Sequence, residues 1–90
     1  MSEKHKPHQK ILKEIDEAKS KITIGDIYIH YKSPEKRYRV KEFGTVEATD
    51  ELCVIYQSEY GEKLTFVRPV SNWLQQVEWQ GKTGPRFTKL

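Results

Sequence analysis

The sequence is poor in the residues that most often announce a chemistry. It has one cysteine, one methionine and three histidines among 90 residues. A lone cysteine excludes an internal disulfide framework and any cysteine-built zinc site. Cys53 lies between Leu52 and Val54 in a strand-like run, where a free cysteine packs as a small hydrophobe. His5 and His8 stand three apart, but Pro7 separates them and no third ligand is near. Neither a metal nor another cofactor is expected. The chain has no glycine-rich phosphate loop, no His-x-x-x-His pair and no Cys-x-x-Cys. No apolar run approaches the ~20 residues of a membrane span. The polar N-terminus lacks a signal-peptide core, so a cytoplasmic location is expected. A strong charge of one sign is missing too. The formal net charge is +3, and residues 22–90 carry ten Lys and Arg against nine acids. That near-neutral body makes a weak case for nucleic acid.

What the chain does have is aromatic residues: five Tyr, three Phe and two Trp. Ninety residues make one domain, and a domain this small buries only roughly 60% of its unfolded surface. Large rings are the efficient way to fill so thin a core. The densest apolar stretch, Leu52 to Pro69, reads as two strands joined by a polar turn at Glu59-Tyr60-Gly61-Glu62.

The remaining elements are read around that hairpin. Residues 1–8 have no apolar periodicity and are expected to be a disordered lead. Ile11, Ile15, Ala18 and Ile22, widened by Leu12, predict an amphipathic helix over 9–22 that packs on the sheet or on another copy of itself. Residues 25–90 form the β domain. Ile27, Ile29 and Tyr31 alternate with polar neighbours as a first strand. Ser33-Pro34-Glu35-Lys36 reads as the next turn. Tyr38 and Val40 then face inward, opposite Arg37, Arg39 and Lys41, and Gly44 marks a bulge or bend. Leu64 and Phe66 return inward, Ser71 caps a short helical turn, and Val77 and Trp79 supply a last inward-facing strand. Short strands with bends at Gly and Pro give a mainly β fold: a small, partly open barrel of about five strands.

Two surfaces offer binding chemistry. Tyr31, Tyr38, Tyr56 and Tyr60 lie near strand ends or turns, with His30, Arg68 and Arg86 beside them. Rings and arginines on the rim of a small barrel suit an extended peptide. The competing structural account is that the tyrosines fill the core and that Arg68 satisfies carbonyls or pairs with Glu59 or Asp26. Arg37, Arg39 and Lys41 form the second surface, on which cations follow phosphates and Tyr28 and Tyr38 stack on bases of a single strand. Glu35, Glu42 and Glu47 flank that patch and dilute it. An enzyme is not expected, because no nucleophile, base and orienting group converge; a small catalyst would need a cleft around His30 or Cys53.

The spacing of several short segments resembles a known family. His30-Tyr31-Lys32, Tyr38-Arg39-Val40 and Val54-Ile55-Tyr56-Gln57 are similar to the opening of the bacterial domain of unknown function 1653, over about residues 25–88. Tyr60-Gly61, Val67-Arg68-Pro69, Gly81-Lys82 and Pro85-Arg86-Phe87 resemble its later part. Ser33-Pro34 stands where the family usually has a glycine, and the N-terminal helix is extra. The resemblance implies an SH3-like β-barrel in a bacterial, cytoplasmic setting, with no activity and no site residues attached. The combined expectation is a protein- or peptide-binding module. Single-stranded nucleic-acid binding is the alternative, and no membrane partner is expected.

Overall fold

Alternating residues at Ile27–His30 and Leu52–Ser58 build two of the three inner strands of an antiparallel sheet. The computed structural model describes residues 6–90, so His5 and most of the expected lead lie outside the described residues. Helix α1 (His8–Lys19) comes first, followed by strands β1 (Ile27–His30), β2 (Ser33–Thr45), β3 (Leu52–Ser58) and β4 (Thr65–Pro69). The short helix α2 (Val70–Trp73) then leads to β5 (Gln76–Trp79), β6 (Lys82–Pro85) and β7 (Phe87–Lys89). Five strands make one sheet in the order β4-β3-β2-β1-β7, while β5 and β6 form a separate hairpin. The fold is mainly β with an N-terminal helix and a helical turn before the last strands, as expected. The described residues form seven strands rather than about five. Nothing pairs β4 with β7, so the sheet does not close.

Cross-strand partners share a face, so the register identifies the inner side. Tyr28 pairs with Tyr38, Val40 with Tyr56, Tyr56 with Phe66, Val54 with Arg68, and His30 with Phe87. Ile22, Tyr28, Val40, Val54, Tyr56, Trp73 and Phe87 form the buried core on that side. Within β2 the register slips between Val40 and Glu42, leaving Lys41 without a partner. One extra residue switches the inward parity, so Tyr38 and Val40 before it and Phe43 after it all pack toward the core. The bulge is therefore at Lys41 and not at Gly44. Gly44 pairs regularly with Cys53, and a Cβ there would stand 3.2 Å from Ile55 Cδ1.

Helix α1 packs against β3 through its buried Ala18. It ends at Lys19, short of the expected 22, and Ile22 is fully buried from the loop that follows. The Tyr28 hydroxyl accepts the Thr23 N–H at 2.8 Å and anchors that loop. Leu12, expected to widen the apolar stripe, is 57% exposed.

Four further expectations are corrected. The β1–β2 turn is Tyr31-Lys32, and Ser33-Pro34 already belong to β2, because His30 pairs with Ser33. Leu64 precedes β4 and is exposed, since its place is in the turn that carries positive φ at Gly61 and Lys63. Ser71 lies inside α2, which Pro69 precedes at the cap position without a side-chain bond. Val77 and Trp79 belong to the separate hairpin, where Trp79 is exposed.

Candidate binding pocket on the inner face

Each strand of the large sheet sends a side chain to one small cavity of about 150 Å³. His30 comes from β1, Tyr38 from β2, Tyr56 from β3, Phe66 and Arg68 from β4, and Phe87 from β7. Its floor is aromatic. Trp73 and Phe87 stack at 3.7 Å with their planes 5° apart, and Tyr56 meets both edge-on. Tyr38 packs edge-on against Tyr56, Tyr60, Phe66 and Phe87.

Two arginines are held by neutral oxygens, Arg68 over this floor and Arg86 beside it over Tyr31. Arg68 donates from Nε to the Tyr56 hydroxyl at 3.1 Å and from Nη1 to Asn72 Oδ1 at 2.6 Å, with its guanidinium 5.2 Å above the Phe87 ring. Arg86 donates from Nε to the Asn72 backbone carbonyl at 3.1 Å and from Nη2 to Gln75 Oε1 at 2.9 Å. Asn72 thus serves both arginines, one through each of its oxygens. The backbone of Arg86 is pinned as well: its N–H donates to the Gln75 carbonyl, and its carbonyl accepts from Tyr31. The acids proposed as partners of Arg68 are engaged elsewhere, Asp26 with Lys89 and Glu59 with Arg39. Among the described residues no carboxylate lies within ion-pair distance of Arg68 or Arg86.

Burial, more than the nearby positive charge, sets the titrating groups. Burial, and after it Arg68, Arg86 and Lys32, hold the His30 imidazole below its ordinary 6.5. The His30 ring stands edge-on to Phe87, and its Nδ1 accepts the Lys32 backbone N–H at 3.2 Å. The Tyr38 hydroxyl is pushed up to about 12, first by desolvation and then by its 3.0 Å hydrogen bond with Tyr60.

The expected rim residues divide into three groups. His30, Tyr38 and Arg68 meet at the cavity, and Tyr60 touches it through Tyr38. Tyr56 also lines it, but is buried in mid-strand as a brace for Arg68 and not on the rim. Tyr31 lies to one side under Arg86, against Trp79 at the mouth of a second cavity of about 260 Å³. A third cavity, about 280 Å³, lies between α1 and α2; there Lys6 and Glu14 neutralise each other at 2.9 Å. Of the basic strand residues, Arg37 and Lys41 are exposed. Arg39 is spent on the Gly25 carbonyl at 2.6 Å and on Glu59. Phe66, Phe87, Asn72 and Gln75 were not anticipated as site residues; the cross-strand register brings Phe66 and Phe87 there, while Asn72 on α2 and Gln75 just after it arrive with the turn that follows β4. Among the described residues no three His, Cys, Asp or Glu side chains group to hold a metal. Among the described residues no helix is long and apolar enough to cross a membrane.

A family model described as a protein of unknown function, DUF1653, matches residues 26–89. The chain belongs to the DUF1653 family. Helix α1 precedes the matched segment, while every strand and the cavity fall within it. The crystal structure of a DUF1653 protein from Bordetella bronchiseptica is similar, with a TM-score of 0.66 and 24% identity. The likeness covers 78% of this chain and 90% of that one, and it is a likeness of fold. No curated protein matches the chain.

Proposed function

We propose that this DUF1653 chain is a non-enzymatic binding module that grips a protein segment or peptide at a rim of His30, Tyr31, Tyr38, Tyr60, Arg68 and Arg86. On this reading the open, curved sheet is an SH3-like barrel left unclosed. The observation that carries the proposal is that Arg68 and Arg86 are oriented by neutral acceptors, with no carboxylate among the described residues to cancel their charge. Guanidinium groups held in place over aromatic rings are costly to order and useful for recognition. The cavity suits one side chain. At about 150 Å³ it is well below the roughly 300 Å³ at which small-molecule sites begin. The basic strand face supports nucleic acid less well, because Arg39 is already paired and Lys41 stands off the ladder. The exposed Leu12 of α1 is the apolar side chain available for contact with a second copy.

Amide NMR of the labelled domain, titrated with cell-lysate fractions before and after nuclease, tests this. Nuclease-resistant shifts at Tyr31, Tyr60, Arg68 and Arg86 support the reading. Shifts confined to Arg37–Lys41 that disappear after nuclease transfer the function to nucleic acid, and a turnover lost on mutating the rim would make the chain an enzyme.

A further inference from the structure

Strand β4, which supplies Phe66 and Arg68 to the cavity, lies at one edge of the large sheet. In the order β4-β3-β2-β1-β7 this strand is an edge, hydrogen-bonded to β3 alone. Proteins protect such edges with short strands, prolines and inward-pointing charges. Strand β4 has five residues, ends in Pro69, and points Arg68 inward. Two features go beyond protection. Val67 is 63% exposed, an apolar residue on the outer face of the edge. Arg68 is also pre-aimed: Tyr56 and Asn72 hold its Nε and Nη1, leaving Nη2 without a protein acceptor among the described residues.

Resting on the peptide-binding reading above, we infer that the free edge of β4 accepts an extended peptide strand bearing an aspartate or glutamate opposite Arg68, whose carboxylate is received by the free face of the guanidinium. A directly opposed residue on an added strand has its Cβ about 4.5–5.5 Å from that of Arg68, within reach of a short acidic side chain. The planar fork of arginine matches a carboxylate, and its half-buried position against Phe87 and Tyr56 lessens screening. Exposed Val67 receives an apolar neighbour on the opposite face. The same arginine selects against self-association, because Thr-Phe-Val-Arg-Pro contains no acid. A second copy paired edge to edge would leave Arg68 without an anion.

The test uses the full chain and pools of extended peptides, random at the flanking positions, with glutamate, glutamine, lysine or phosphoserine fixed at the centre. The glutamate pool is expected to bind about tenfold more tightly than the glutamine pool. It should shift the β4 amides and lose binding when its backbone is N-methylated. Arg68→Lys should narrow the difference, and Arg68→Glu should transfer the preference to the lysine pool, with amide dispersion confirming that each variant is folded. Equal binding of the glutamate and glutamine pools overturns the carboxylate inference and leaves the peptide-binding reading intact. A phosphoserine pool that outcompetes glutamate reassigns the pocket to phosphate. If no pool shifts the β4 amides while single-stranded RNA shifts Arg37–Lys41, both readings fall.

Discussion

Arg68 Nη1 donates to Asn72 Oδ1 at 2.6 Å, across the corner where β4 ends and α2 begins. The bond fixes the direction of the arginine without neutralising it. Replacing Asn72 with alanine removes that acceptor but keeps the backbone carbonyl that holds Arg86. A bond of this kind, part-buried and to a charged group, contributes about 1–2 kcal/mol. Asn72→Ala should therefore lower the thermal midpoint by several degrees. Asn72→Asp makes the sharper experiment. A carboxylate in that position pairs with Arg68, so stability should hold or rise while affinity for glutamate-centred peptides falls. If Asn72→Asp bound acidic peptide as well as the parent, the free charge on Arg68 would not be the recognition element.

Phe87 joins the site to the core. Its ring is 6% exposed, stacked on Trp73 and covered by Arg68. Truncating such a ring costs roughly 3–5 kcal/mol, against a total stability of about 5–15 kcal/mol for a typical domain. Phe87→Ala should lose most of its cooperative unfolding transition, whereas Phe87→Leu should keep it at a lower midpoint. Urea denaturation followed by tryptophan fluorescence, to which Trp73 contributes, measures both. A loss below about 1 kcal/mol for the alanine variant would mean that the stack adds little to the core.

Much of this fold was legible from local pattern. Alternation at Ile27–Tyr31 and Leu52–Tyr56 marked β1 and β3, and Gly61 marked the turn before β4 because positive φ suits glycine. The bulge was misplaced because a register slip has no residue type of its own. Its trace was the change of parity from Tyr38 and Val40 to Phe43, while Gly44 drew attention to a position that pairs regularly. Pro34 misled for a related reason, since proline suits a turn and also a strand position that need not donate. The site was half legible. Arg68 and Arg86 stood out beside their prolines, but Phe87 reaches Arg68 only through the non-local pairing of β7 with β1. Asn72, a near neighbour of Arg68 in sequence, meets Arg86 only when the chain folds back after the β5–β6 hairpin.

Cys53 provides a test of the sheet's other side. The thiol is 3% exposed, pairs in register with Gly44, and is raised above its ordinary value by burial and by Glu51. Little thiolate is present at neutral pH and little reagent reaches it. Alkylation of the native chain should be slow and should match the denatured rate once urea unfolds the protein. Rapid native labelling would show that β3 opens locally between α1 and β2.

Stability should fall on both sides of neutrality, for opposite reasons. His30 has a lowered folded value, so the unfolded chain binds its proton first as pH falls. Stability is complete above the ordinary value of 6.5 and declines below it, toward the depressed folded value. The groups facing the ring are Arg68 on β4, Arg86 before β7, Lys32 in the following turn, and the neutral rings of Tyr31 and Phe87. All the charges among them are positive, so protonation is opposed from every side. His30→Gln should flatten this acidic limb. Tyr38 acts at the alkaline end. Its folded value near 12 exceeds the ordinary 10.0, so its contribution is present below 10.0 and is lost as pH rises toward 12. Tyr60→Phe removes the hydroxyl partner and should bring the Tyr38 titration earlier, read by ultraviolet absorbance. Chemical denaturation at intervals across pH separates the limbs. An acidic limb unchanged in His30→Gln would remove His30 from the account.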